Sequence, residues 1–257
     1  LGQLLPTLAE RITVAEKGSL SLEDFLLGLF HDEVSRRRDA STSRRAHEAG
    51  LDPDMRFERW DKTAKVTFDR RVLSELSSLR FAEALRNVVI LGPVGVGKTF
   101  LASALGHVAC HSGFRVRMHR ADELLRRLRQ SRLDNSREAL LIDLCTTDLL
   151  IIDDFALEPM TRDESRDVYQ LFVERTGRAS TIITSNRDTA DWLAVFDDPL
   201  LAQSAIDRFK NNAYDLVVDG ESYRSRLKPS IDQDGPPPAA PVTKHPHPLR
   251  RTKRPRI

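Results

Sequence analysis

Cysteine is scarce in this chain: Cys110 and Cys145 are the only two among 257 residues. Both sit in apolar surroundings typical of buried thiols, so neither a disulfide framework nor a zinc site is expected. Long apolar runs are missing too. No stretch approaches the roughly 18 consecutive apolar residues of a membrane span, so no transmembrane helix and no membrane partner are expected. The opening segment, which starts at Leu1 rather than Met, lacks the basic, apolar and small-residue succession of a signal peptide. A cytoplasmic location is the resulting expectation. Charge of one sign is lacking as well: 40 Lys and Arg against 38 Asp and Glu leave a net +2. That sum does not announce a nucleic-acid binder, and the distribution of charge matters more. No internal repeat is visible.

The hydrophobic share of 40% and the charged share of 30% describe a globular chain long enough for one α/β domain and an appendage. The most informative stretch is Gly92-Pro93-Val94-Gly95-Val96-Gly97-Lys98-Thr99, which fits the pattern G-x-x-x-x-G-K-[ST] without a mismatch. It follows the strand-like Val88-Val89-Ile90-Leu91 and leads through Phe100 into a helix-like run. In that setting the glycines let backbone N–H groups converge on a phosphate chain, and the helix adds its positive end. Gly92 to Phe100 are therefore expected to hold ATP, with Lys98 reaching the β and γ phosphates and Thr99 holding Mg²⁺.

A second apolar run, Leu149-Leu150-Ile151-Ile152, ends in Asp153-Asp154. A buried parallel strand reads as a continuous aliphatic run, and its carboxyl end is where open α/β sheets present ligand-binding groups. Asp153 is expected on the Mg²⁺ side opposite Thr99, and Asp154 beside the attacking water. A third strand, Ser180 to Thr184, leads to Asn186; if it lies between the other two, Asn186 emerges next to the γ-phosphate. Other elements are read as follows. Ser21 caps a helix whose Leu22, Phe25, Leu26, Leu29 and Phe30 form one face expected to be buried. Phe57, Trp60 and Phe68, in a stretch with no clear period, are read as anchors onto the next domain. A helix is expected through Val72, Leu73, Leu76 and Leu79, another ending at Gly113, a strand at Arg115 to His119, and helices around Leu124 to Leu128 and from Arg162 to Arg175. A last strand covers Tyr214 to Val218.

Two arginine groups admit either a solvated-face or a DNA-contact reading: Arg36, Arg37, Arg38, Arg44 and Arg45, and then Arg126, Arg127, Arg129 and Arg132. Eight of the 13 prolines fall between Pro229 and Pro255 among basic residues, which reads as a disordered basic tail. The expected division is a helical partner- or DNA-binding region at 1–69, an ATPase domain at 70–228 and the tail at 229–257.

Residues 1–228 resemble the IstB-like ATPases, helper proteins of IS21-type transposons, and more distantly the DnaC-type helicase loaders, both of the AAA+ class. The resemblance rests on the phosphate-loop segment from Asn87, Leu149 to Phe155, Thr184-Ser185-Asn186-Arg187, Trp192 to Phe196 with Asp198-Pro199, Ile206-Asp207-Arg208 and Ser222-Tyr223-Arg224. It implies an α/β P-loop NTPase of the AAA+ class. Its parallel sheet would run in the order 5-1-4-3-2 between helices, with a small N-terminal helical domain and Asn186 as sensor 1. It also implies that Arg208 is an arginine finger reaching a neighbour's ATP and that Arg224 is the sensor 2 arginine. Most AAA+ members carry Glu where this chain has Asp154, which implies slow hydrolysis. The implied activity is a DNA-dependent ATPase that forms a homo-oligomer on double-stranded DNA and assists a transposase. A replicative-helicase loader and a nucleotide-gated DNA-binding module with little turnover are the alternatives.

Overall fold

The computed structural model describes residues 5–18 and 20–224. The described residues through Tyr223 belong to one compact unit, and Arg224 opens a second. The Pro-rich tail at 229–257 lies outside the described residues.

Helix α1 (Leu5–Gly18) is tied to α2 (Leu22–Glu48) by a two-pronged ion pair, Arg11 to Asp32, with both contacts at 2.6 Å. Ser21 caps α2 by accepting from the Asp24 N–H at 3.1 Å. The face of α2 expected to be buried is largely open: Leu29 is buried, but Leu22 is 74% and Phe30 56% exposed. Periodicity identifies an apolar face, and here only the far end of the helix has the core to pack on, through Ala46 and the following Ala49 and Leu51. A 3-10 turn at Phe57–Arg59 precedes the short strand β1 (Val66–Phe68). Helix α3 (Arg70–Ser77) starts on the Asp69 cap, and α4 (Arg80–Glu83) follows.

The remaining elements alternate as an α/β domain requires. They are β2 (Asn87–Leu91), α5 (Lys98–His111), β3 (Val116–Arg120), α6 (Ala121–Leu133), α7 (Arg137–Thr146), β4 (Leu149–Asp153), α8 (Arg162–Arg175), β5 (Ser180–Ser185), α9 (Pro199–Lys210) and β6 (Ala213–Gly220). Gly113, at φ +100°, closes the turn after α5. A 3-10 segment, Thr189–Val195, joins β5 to α9.

The sheet runs β1-β6-β2-β5-β4-β3. Counted from the strand before the glycine loop, its five parallel strands take the 5-1-4-3-2 order. The sixth, β1, pairs antiparallel with β6 and was hidden in the aperiodic stretch before Arg70. Alternate residues of the central strands feed opposite layers, as the two-residue period of a strand demands. Val89, Leu150, Ile152 and Ile183 join Leu124, Leu144, Leu171 and Phe209 on one face. Val88, Ile90, Ile151 and Ile182 join Ala46, Leu76, Leu101 and Leu105 on the other. The sheet is thus covered on both faces, which is why its strands read as unbroken aliphatic runs.

Candidate functional site

The loop between β2 and α5 holds Gly92 to Gly97, and α5 begins at Lys98. Two of its glycines are dictated by close approach. Gly92 sits at φ +151° where any Cβ would collide with the Val218 carbonyl. Gly97 sits at φ +98°, and a Cβ there would lie 2.9 Å from the Trp60 ring. Trp60 also packs edge-on against Phe100 and Phe68, at 5.2 and 5.9 Å between centroids. The aromatics between residues 57 and 68 thus do pack on the core, and Trp60 does so against the loop itself. From the other end of the unit, the Tyr223 N–H donates to Gly95 O at 2.9 Å. Within the loop, Pro93 and Val94 are exposed while Val96 is buried, and Lys98, also buried, donates to Pro93 O at 2.7 Å.

Thr99 and Asp153, far apart in sequence, meet: the Thr99 hydroxyl is 3.0 Å from both carboxylate oxygens. The carboxylate is buried, and that burial raises its pKa, with Asp154 adding repulsion against hydrogen bonds from Thr184 and Thr99. Thr184 Oγ1 donates to Asp153 Oδ1 at 2.5 Å and accepts from the Asp154 N–H at 2.9 Å. Asp154 itself has a left-handed backbone, φ +56°, and lines a cleft of about 320 Å³ together with Arg120, Asp122, Leu125, Arg129 and Glu158. Asn186 is exposed at the first position beyond β5, and β5 does lie between β2 and β4. Arg208, on α9, is exposed, hydrogen-bonds Ser204 Oγ and lies 5.8 Å over the Tyr169 ring. Arg224 is exposed.

Sequence reasoning passed over Thr184 and Ser185 as site residues. Ser185 Oγ donates to Phe155 O at 2.9 Å and accepts from Arg187 N–H at 3.1 Å and Trp192 Nε1 at 3.3 Å. Both end β5 and stand in the motif Thr184-Ser185-Asn186-Arg187, which was the signal the sequence offered. Many of these arginines have partners within the chain. Arg36 and Arg37 both hold Glu33, and Arg45 donates to Cys110 O at 2.8 Å. On α6, Arg129 pairs with Glu164 at 3.1 Å and Arg132 with the buried Asp167 at 2.6 Å. All four α6 arginines, Arg126, Arg127, Arg129 and Arg132, are nonetheless exposed. Both cysteines are free, and burial pushes the Cys110 thiol up to about 11. Among the described residues no cluster of His, Cys, Asp and Glu could hold a metal ion by itself, and no helix is long and apolar enough to cross a membrane.

A covered parallel sheet with a glycine loop and an acidic strand end side by side defines a P-loop NTPase fold. Comparison with known proteins narrows this. The model of the IstB-like ATP binding protein family matches residues 1–230, and the chain belongs to that family. It is 35% identical over 231 residues to an insertion-sequence ATP-binding protein of Mycobacterium tuberculosis, covering 89% of this chain and 92% of that one. An insertion sequence IS21 ATP-binding protein of Pseudomonas aeruginosa is 36% identical over 214 residues, 83% of this chain and 81% of the relative. Among solved structures, the DnaC helicase loader superposes with a TM-score of 0.52 at 20% identity, over 58% of this chain and 86% of that chain, a likeness of fold. The chain is thus an ATP-binding AAA+ protein.

Proposed function

We propose that the chain hydrolyses ATP, assembles as a homo-oligomer on double-stranded DNA and assists a transposase in transposition. The observation that carries this reading is the Thr99–Asp153 pair at 3.0 Å, which joins the glycine loop to the acidic end of β4 in a chain of the IstB-like family. A hydroxyl beside a carboxylate is a hard-oxygen donor set that suits Mg²⁺, so Thr99 and Asp153 are the residues to hold it, and the ion would neutralise charge on the phosphates. The loop from Gly92 to Phe100 binds the nucleotide, with Lys98 turning from Pro93 O to the phosphates. Asp154 receives or orients the proton of the attacking water, and Asn186 fixes that water's place. The finger role of Arg208 and the sensor 2 role of Arg224 stand on the family resemblance; a cation supplied by a neighbour makes hydrolysis depend on assembly. The division into a partner-binding region at 1–69 and an ATPase domain at 70–228 belongs to the same proposal, as does a cytoplasmic setting.

The test is steady-state ATP hydrolysis across a range of protein concentrations, with and without duplex DNA. Turnover should rise with both, and Lys98→Ala should abolish it. A rate untouched by Lys98→Ala, or indifferent to DNA and concentration alike, sinks the proposal; tight ATP and DNA binding without turnover would select the nucleotide-gated module instead.

A further inference from the structure

The fully buried pair Thr184-Ser185 occupies the seam between the two halves of the site. Strand β5 is flanked by β2 and β4, so these two residues stand between the root of the glycine loop and the acidic turn. Ser185 O accepts from Gly92 N–H at 3.3 Å on one side, and Thr184 O accepts from Phe155 N–H at 2.9 Å on the other.

The Thr184 hydroxyl does two things at once. It donates its single proton to Asp153 Oδ1 at 2.5 Å, and its lone pair receives the Asp154 N–H at 2.9 Å. The second bond matters because Asp154 holds φ +56°, a conformation that persists only where the surroundings over-determine it. The first matters because the Asp153 carboxylate has two hydroxyl partners, Thr99 and Thr184. When the Thr99 oxygen turns to a cation, it can no longer serve Asp153 in the same way. Thr184 is then the remaining side-chain donor to Asp153 among the described residues.

We infer that Thr184 is a positioning residue of this site, whose one buried hydroxyl sets the metal-side carboxylate Asp153 and the strained Asp154 turn relative to each other. The inference rests on the ATPase reading for its effect on turnover, while its effect on metal-dependent binding does not need turnover at all.

Two pairs of proteins each differ by a single hydroxyl: the wild type against Thr184→Val, and Thr184→Ser against Thr184→Ala. ATP binding by calorimetry in EDTA should agree within about twofold inside each pair, because the loop is untouched. With Mg²⁺ present, the hydroxyl-less member should lose about tenfold or more in kcat and in the gain of affinity that Mg²⁺ confers, the size expected of a group that orients a ligating carboxylate. Thr184→Ser should retain kcat within about threefold of the wild type. If the wild type does not hydrolyse ATP, the ATPase reading fails and the Mg²⁺-dependent binding still decides the role of Thr184. Equal kcat and equal Mg²⁺ response within both pairs would overturn the inference. So would a result in which only the hydroxyl-bearing proteins fold, since the hydroxyl would then serve stability alone.

Discussion

Position 154 carries a carboxylate on a left-handed backbone, φ +56°. That conformation costs an L-residue about 1–2 kcal/mol, and Asp and Asn adopt it more readily than longer side chains do. This gives a local reason for Asp where the wider AAA+ pattern has Glu: the turn that aims the side chain favours the shorter residue. Asp154→Gly should therefore raise the stability of the fold by about 1 kcal/mol while abolishing ATP hydrolysis. Urea denaturation measures the first and a phosphate-release assay the second; a glycine variant less stable than the wild type would refute the strain. At this scale the sequence was readable where chemistry is contiguous. Gly92 to Thr99 and the Asp153-Asp154 pair announce themselves by spacing, whereas the Thr184 hydroxyl acquires its role only when β5 is inserted between β2 and β4.

Helices and strands join through groups whose partners lie far along the chain. Arg175 ends α8, where the sequence places the end of that helix, yet it is among the most buried side chains of the unit. Its guanidinium donates to Leu144 O at 2.5 Å, Thr147 O at 2.8 Å and Thr181 Oγ1 at 2.9 Å, and also to Ser180 O, binding the ends of α7 and α8 to the start of β5. Burial lowers its pKa to about 10, which leaves it charged at neutral pH. Arg175→Met should cost about 3 kcal/mol, because the acceptors are left buried without donors. A urea midpoint equal to that of the wild type would contradict this. Helix α7 and strand β1 were illegible for a related reason. The apolar residues of Arg137–Thr146 show no strong one-sided pattern, and β1 is a three-residue edge strand defined by pairing with β6. Conversely, the apolar face of α2 was legible while its exposure was not, because a pattern does not name what covers it.

For the unit as a whole, the layered order of the sheet followed from alternating aliphatic runs and helices, and the family resemblance supplied the strand order. Its acid stability depends on groups that no local pattern discloses. His119, on β3, is held down to about 4 by burial first and by Arg127 and Arg117 next, against the opposing pull of Glu123 and Asp143. The unfolded chain takes up this proton near pH 6.5 and the folded chain only near 4. Stability from this residue is therefore complete above pH 6.5 and declines as pH falls toward 4. His119→Gln, which cannot titrate, should show a shallower fall in melting temperature over that window; parallel curves would assign the acid sensitivity elsewhere. The packing of Trp60 against Gly97 has one more consequence. The chain has two tryptophans, and Trp192 is sealed in the core while Trp60 is half-buried at the edge of the glycine loop. Indole emission follows its surroundings, so titrating in ATP should change the fluorescence of Trp60 beside Gly97. Trp60→Phe should then remove the change; a signal that survives in Trp60→Phe would belong to Trp192, whose Nε1 donates to Ser185 Oγ.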